Sequence, residues 1–128
     1  MSELITQAEV VALAFTDGEY ISPEVIAKAD IDAVVSKRIK PVVGQAMLEA
    51  VAEGKYAEFA EEHLKPTIAA FVRCLVQPRL NAVTGQAGLA VPVGSYHKAA
   101  DEEARRGLLR SLVGRATALQ IDMSDYLE

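Results

Sequence analysis

Tyr56 to Leu80, YAEFAEEHLKPTIAAFVRCLVQPRL, constrains the fold more than any other stretch. Leu64, Ile68, Phe71 and Leu75 recur at steps of 4, 3 and 4, the spacing that stacks side chains on one helical face. Ala69, Val72 and Val76 widen the stripe, so most of the circumference after Lys65 is apolar. A helix apolar nearly all round belongs in the middle of a bundle, covered on several sides. Glu61 and Lys65 form an i,i+4 pair on its wetter side, worth about 0.2–0.5 kcal/mol. Packing therefore holds this element. If Leu75 lies in the core, Leu75→Ala costs about 2–5 kcal/mol. Pro66 and Pro78 each predict a bend or a fresh turn, so one straight rod from 56 to 82 is not expected.

The rest of the chain reads as helices around that centre. Thr6 and Glu9 have capping-box spacing and predict a helix from Gln7 to Phe15, with Val10, Val11, Leu13 and Ala14 inward. Thr16-Asp17-Gly18 ends it. Ser22-Pro23-Glu24 signals a second, brief helix, and Asp30 is a candidate cap for a third. Ile31, Val34, Val35 and Ile39 share a face; Pro41 then predicts a kink between Lys37 and Lys40. Helix resumes from Val43 to Glu53, with Met47, Leu48 and Val51 inward, and Gly54 stops it. Ile39-Lys40-Pro41 returns as Leu64-Lys65-Pro66, 25 residues on; kinked amphipathic helices reach this pattern without any duplication. Thr84 to Ser95, TGQAGLAVPVGS, has three glycines, a proline and no charge, which predicts a loop. An uncharged apolar loop points to a contact, with a partner or with its own domain. A long last helix then runs to Tyr126. Ala104, Leu108, Leu112, Ala116, Leu119, Met123 and Leu127 carry its stripe, and Arg105, Arg106, Arg110 and Arg115 lie outside it. Those arginines read as a solvated face or as a grip for phosphates or a partner's acids. The expected fold is one all-α domain over residues 1–128, a compact bundle of about five to six helices with proline kinks. A glycine-rich loop precedes the long C-terminal helix.

At 128 residues and 51% hydrophobic content the chain has material for one core. A net charge of -5 disfavours general affinity for nucleic acid or an anionic membrane. No run of about eighteen apolar residues and no signal peptide is visible, so a soluble intracellular protein is expected. Cys74 is the single cysteine, which excludes an internal disulfide and a thiolate zinc site. Within an apolar helix it reads as an inert thiol.

Catalytic patterns do not form. His63 and His97 are the only histidines, and Glu-x-x-His would need acids where Ala60 and Gly94 stand. There is no His-x-x-x-His and no Gly-x-Ser-x-Gly. Gly85-Gln86-Ala87-Gly88 matches a GXXG phosphate clamp in letters alone. Glu58, Glu61 and Glu62 lack a complementary group and read as a solvated face. No enzyme, cofactor or metal is expected.

LITQAEVVALAF, the ADI turn at 29–31, IKPVVGQAML, FAEEHLKPTIAAFVRCL, a glycine-rich loop and a charged final helix occur in that order. Over nearly the whole length this order resembles the small head–tail connector (adaptor, or head-completion) proteins of tailed phages and prophages. The resemblance implies a structural virion protein made in the bacterial cytoplasm and located in the neck. There it forms a homo-oligomeric ring beneath the portal protein, meets a downstream stopper or tail-completion protein, and passes DNA without specific binding. It carries over no catalytic residues. The implied docking segment is Gly85 to Ser95, so the candidate interface comprises Gly85, Gln86, Gly88, Leu89, Val91, Val93 and Tyr96, with Arg105, Arg106 and Arg110 on the last helix. The loop is shorter and less charged than an inserted docking arm. A net acidic wall suits a channel through which DNA must slide, because each Lys or Arg contact to phosphate adds affinity. The alternative is a small intracellular helical protein-binding or regulatory module that uses the arginine face. A DNA-binding helical domain is disfavoured by charge.

Overall fold

Thr6 opens the first helix as its spacing predicts. The Glu9 amide donates to the Thr6 hydroxyl at 3.1 Å, and the Thr6 amide donates to the Glu9 carboxylate at 3.0 Å. Helix α1 spans Gln7–Ala14. The computed structural model describes residues 4–16, 21–87 and 95–127, with 80–87 and 95–101 as backbone alone. Asp17 and Gly18 thus fall outside the described residues. Val10 is fully buried, but Leu13 is exposed where the sequence placed it inward.

Ser22-Pro23-Glu24 starts a single 3-10 turn, Pro23–Val25, rather than an α-helix. The Gln7 side-chain amide donates to the Ile26 carbonyl and ties this turn to α1. Helix α2 follows over Lys28–Val34. Asp30 lies one turn inside it, and its carboxylate reaches back to accept from the Ala27 amide at 3.0 Å. It therefore satisfies an orphan donor without standing at the cap position. The chain continues through a π turn, Val35–Ile39, into α3, Lys40–Val43. Gly44, at φ +92°, separates α3 from α4 (Gln45–Ala52), a break inside what the sequence reading treated as one helix. Gly54 ends α4 at φ +97°. Both angles fall in territory that glycine alone enters at little cost.

Tyr56, itself left-handed at φ 55°, precedes α5, Ala57–Phe59. A second π turn, Ala60–Leu64, leads into the 23-residue α6, Lys65–Ala87. Helix α7 spans 33 residues, Ser95–Leu127. Among the described residues the fold is all-α. It comprises five rods: α1, α2 to α3 through the first π turn, α4, α5 to α6 through the second, and α7.

Both π turns stand directly before a Lys-Pro step, and they explain why neither proline breaks its rod. Pro41 and Pro66 have no amide to donate, and their rings press on the carbonyl four residues back. In each case the preceding lysine amide bonds five residues back, Lys40 to Val35 and Lys65 to Ala60. One extra residue in the turn makes room for the ring without ending the helix. The sequence echo is therefore a shared structural device. Pro78 is treated differently: α6 runs through it as α-helix, with its ring exposed.

Helix α6 is the centre, packed by α1, α2 and α7. Leu64, Ile68, Ala69, Val72 and Val76 are buried with Phe71, as the stripe predicted. Leu75 is the exception at 48% exposed, because it lines an open groove beside α2. The expectation of a large loss on truncating Leu75 is corrected accordingly. The glycine-rich segment also needs correction: α6 extends to Ala87, so Gly85 and Gln86 lie on its last turn and not in a loop.

Candidate interaction surfaces

Helix α7 is held against α6 near its C-terminal end. The Thr67 hydroxyl, fully buried, lies 2.7 Å from the His63 carbonyl and 3.3 Å from the Leu119 carbonyl. A threonine that donates to the turn before it, and reaches a second helix's backbone, ties the two at their line of contact. Below it the ring of Tyr126 packs against His63 at 4.3 Å and Phe59 at 5.8 Å. Leu112 and Leu119 share a small cleft with Ala70 and Arg73, so the helices run antiparallel. Ala116 and Met123 complete the seam and are buried.

The opposite side of α7 is uncovered. Arg106, Arg110, Val113, Thr117 and Ile121 are all exposed, spaced for one helical face. The side changes character along its length. It is basic at Arg106 and Arg110 and apolar at Val113 and Ile121, and beside Ile121 stand Asp122 and Asp125, with no Lys or Arg after Arg115.

A second surface lies where α2 and its π turn cross α6. Ala33, Lys37, Arg38, Phe71, Cys74 and Leu75 line an open groove of about 220 Å³. The Arg38 guanidinium sits 5.5 Å from the centre of the Phe71 ring, a cation–π contact that keeps its charge at the rim. Lys37 and Arg38 are exposed, and Arg79 nearby is neutralised by Asp30 at 3.0 Å. Burial pushes the Cys74 thiol up, against the opposing pull of Arg73 and Arg38, so little thiolate is present at neutral pH.

Two polar clusters are structural. Arg73, 3% exposed inside the apolar stripe, donates to the Ala14 carbonyl at 2.8 Å and to the Gln77 side chain at 3.1 Å. Its guanidinium also stacks 4.5 Å from the Phe15 ring centre. It thus closes the C-terminal end of α1, where carbonyls lack helical partners and a cation is favoured. Arg73 was not singled out from sequence; the signal was Arg73 and Gln77, one turn apart in an otherwise apolar run. Lys65 bridges Glu9 on α1 at 2.6 Å and Glu61 at 2.7 Å. The Lys65 bond holds Glu9 below the usual carboxylate range, and Glu61 first, then Glu9, raise Lys65.

The structure describes only part of the interface expected from sequence. Gly85 and Gln86 are helical at the end of α6, and Tyr96 is helical in the first turn of α7. Gly88, Leu89, Val91 and Val93 lie outside the described residues. Arg105, Arg106 and Arg110 are exposed on α7. The α2–α6 groove was missed, because its apolar floor includes Leu75, which periodicity assigned to the core.

Among the described residues no group of three His, Cys, Asp or Glu side chains is placed to hold a metal ion. None of their helices is long and apolar enough to cross a membrane. No family model, curated protein or solved structure matches the chain.

Proposed function

We propose that this chain is a structural assembly protein of the head–tail connector type, built to join copies of itself into a ring beneath a phage portal. The observation that supports the reading most is α7. A helix of 33 residues is anchored along one seam and leaves a side with exposed Arg106, Arg110, Val113 and Ile121. A partner laid along that side would cover Val113 and Ile121 together, because they share one helical face. The order of segments from LITQAEVVALAF to the charged last helix supports the same reading through its resemblance to connectors. In this role the portal above and a stopper or tail-completion protein below are the partners, the location is the virion neck, and DNA passes without specific contact. The site consists of interfaces, and no chemistry is assigned to it.

Incubation with purified portal rings, followed by sedimentation, tests this directly. Co-sedimentation in a fixed ratio supports a connector. A chain that stays unbound with portals of several tailed phages contradicts it. The exposed arginines favour one alternative, a helical module that captures an acidic partner. Arg106→Glu with Arg110→Glu then abolishes capture of that partner and leaves self-association unchanged.

A further inference from the structure

The α2–α6 groove and the end of α7 are complementary in shape class and in charge, and they occupy separate places on the subunit. The groove offers the apolar floor of Leu75 and Phe71 under a basic rim, Lys37 and Arg38, with Lys40 following and no acid between Ala33 and Val43. The end of α7 offers the reverse: Ile121, 55% exposed, flanked by the exposed carboxylates of Asp122 and Asp125. Those carboxylates stand in the last two turns of α7, where the helix dipole is also negative.

One molecule cannot bring its own two surfaces together. Thr67 faces Leu119, and the helices are antiparallel. Leu75 lies eight residues past Thr67, and Ile121 lies two residues past Leu119 in the opposite direction. At 1.5 Å per residue the two are separated by about 15 Å along the bundle. The complement must come from another molecule.

Resting on the connector reading, we propose that the groove of one subunit receives the C-terminal turns of α7 of a second copy. Ile121 then lies over Leu75, and Asp122 and Asp125 face Lys37 and Arg38. Groove and tip are different patches, so the contact is head-to-tail. Such a contact propagates and closes into a ring when the rotation allows it, or extends as a filament when it does not. Two helical turns laid in one groove make a small contact, below the roughly 1,000 Å² of a stable pairwise interface. Pairwise docking is therefore weak but detectable at concentrations up to about 1 mM, and a template that holds each subunit at both ends strengthens it further.

Charge reversal tests the pairing. The wild-type chain, Lys37→Glu/Arg38→Glu and Asp122→Lys/Asp125→Lys are compared by sedimentation velocity up to about 1 mM, separately and as an equimolar mixture of the two variants. The expected result is concentration-dependent association of the wild type, weakened at least tenfold in each variant alone and recovered in the mixture. Recovery follows from a head-to-tail contact, because each variant's groove then meets the other's tip with opposite charge. Circular dichroism of both variants establishes that they are folded. Association that neither pair of reversals alters overturns this interface and leaves the ring reading standing. A wild-type chain monomeric at about 1 mM also overturns it, whereas portal co-sedimentation judges the connector reading separately.

Discussion

Helices α6 and α7 lie side by side, antiparallel, yet they spend their residues in opposite ways. From Thr67 to Arg73 every side chain of α6 is buried. Helix α7 is the longer of the two, and among its described side chains only Ala116 and Met123 are buried. A helix surrounded by α1, α2 and α7 contributes the core, and its residues are chosen for volume. A helix seated along one seam leaves most of its circumference to solvent or to a partner. Where both helices must be polar, they again differ. Thr67, Arg73 and Gln77 of α6 are buried and bonded, whereas Arg106, Arg110, Asp122 and Asp125 of α7 stand exposed. Damage to the buried side of α6 should thus appear as lost stability, and damage to the exposed side of α7 as lost association.

The sharpest break of that contrast is Ile68→Ala. Ile68 is fully buried in the middle of the seams, so its truncation removes transfer energy and leaves a cavity, costing about 2–5 kcal/mol in urea unfolding. Arg73→Leu comes next. It deprives the Ala14 carbonyl and the Gln77 amide oxygen of a buried donor, at about 1–3 kcal/mol in the same measurement. Both losses belong to α6.

How the sequence could and could not show this is plain from particular residues. Helical spacing found Leu64, Ile68, Phe71 and Val76, because a buried face repeats with the helix. The same rule misplaced Leu75 and Leu13. Periodicity says which residues share a face, but not where the covering helix stops. Thr6 and Glu9 were legible because a capping box is local. The π turns at 35–39 and 60–64 were visible only as kinks expected at Pro41 and Pro66, since spacing alone does not say how a helix absorbs a proline. Gly44 was hidden inside an apolar pattern that continues across it. Groove and tip escaped notice because they come from segments more than forty residues apart, Lys37 to Leu75 and Ile121 to Asp125.

Acid gives a smaller effect on the α1–α6 junction. Glu9 is held below the ordinary carboxylate range, so its contribution is present above about pH 4 and is lost as the pH falls through its lowered value. Lys65 is raised, so its share persists up to the ordinary lysine range of about 10.4 and is lost as the pH rises through the raised value. The pair is partly exposed and contributes at most about 1 kcal/mol. The stability gap between wild type and Glu9→Gln, followed by thermal melts, should therefore close in acid and narrow with added salt.

The smallest effect on folding falls on the groove and the tip, where the exposed Leu75 of α6 joins Ile121 of α7 in serving association. Leu75→Ala and Ile121→Ala remove half-exposed side chains, and each should shift stability by about 0.5 kcal/mol or less. Self-association should nevertheless fall in both. Equal stability with equal association would mean that these apolar groups serve neither fold nor assembly.

Covalent trapping addresses the central claim most directly. In a Cys74→Ala background, a chain carrying both Leu75→Cys and Ile121→Cys is oxidised with copper–phenanthroline and run on a non-reducing gel. Head-to-tail docking brings the two new thiols within disulfide reach between molecules, about 7 Å or less between Cα atoms, while within one molecule they stay too far apart. The expected product is a ladder of trimers and higher species, with each single-cysteine chain stopping at dimers. A double-cysteine chain that also stops at dimers, or stays monomeric, would contradict the account.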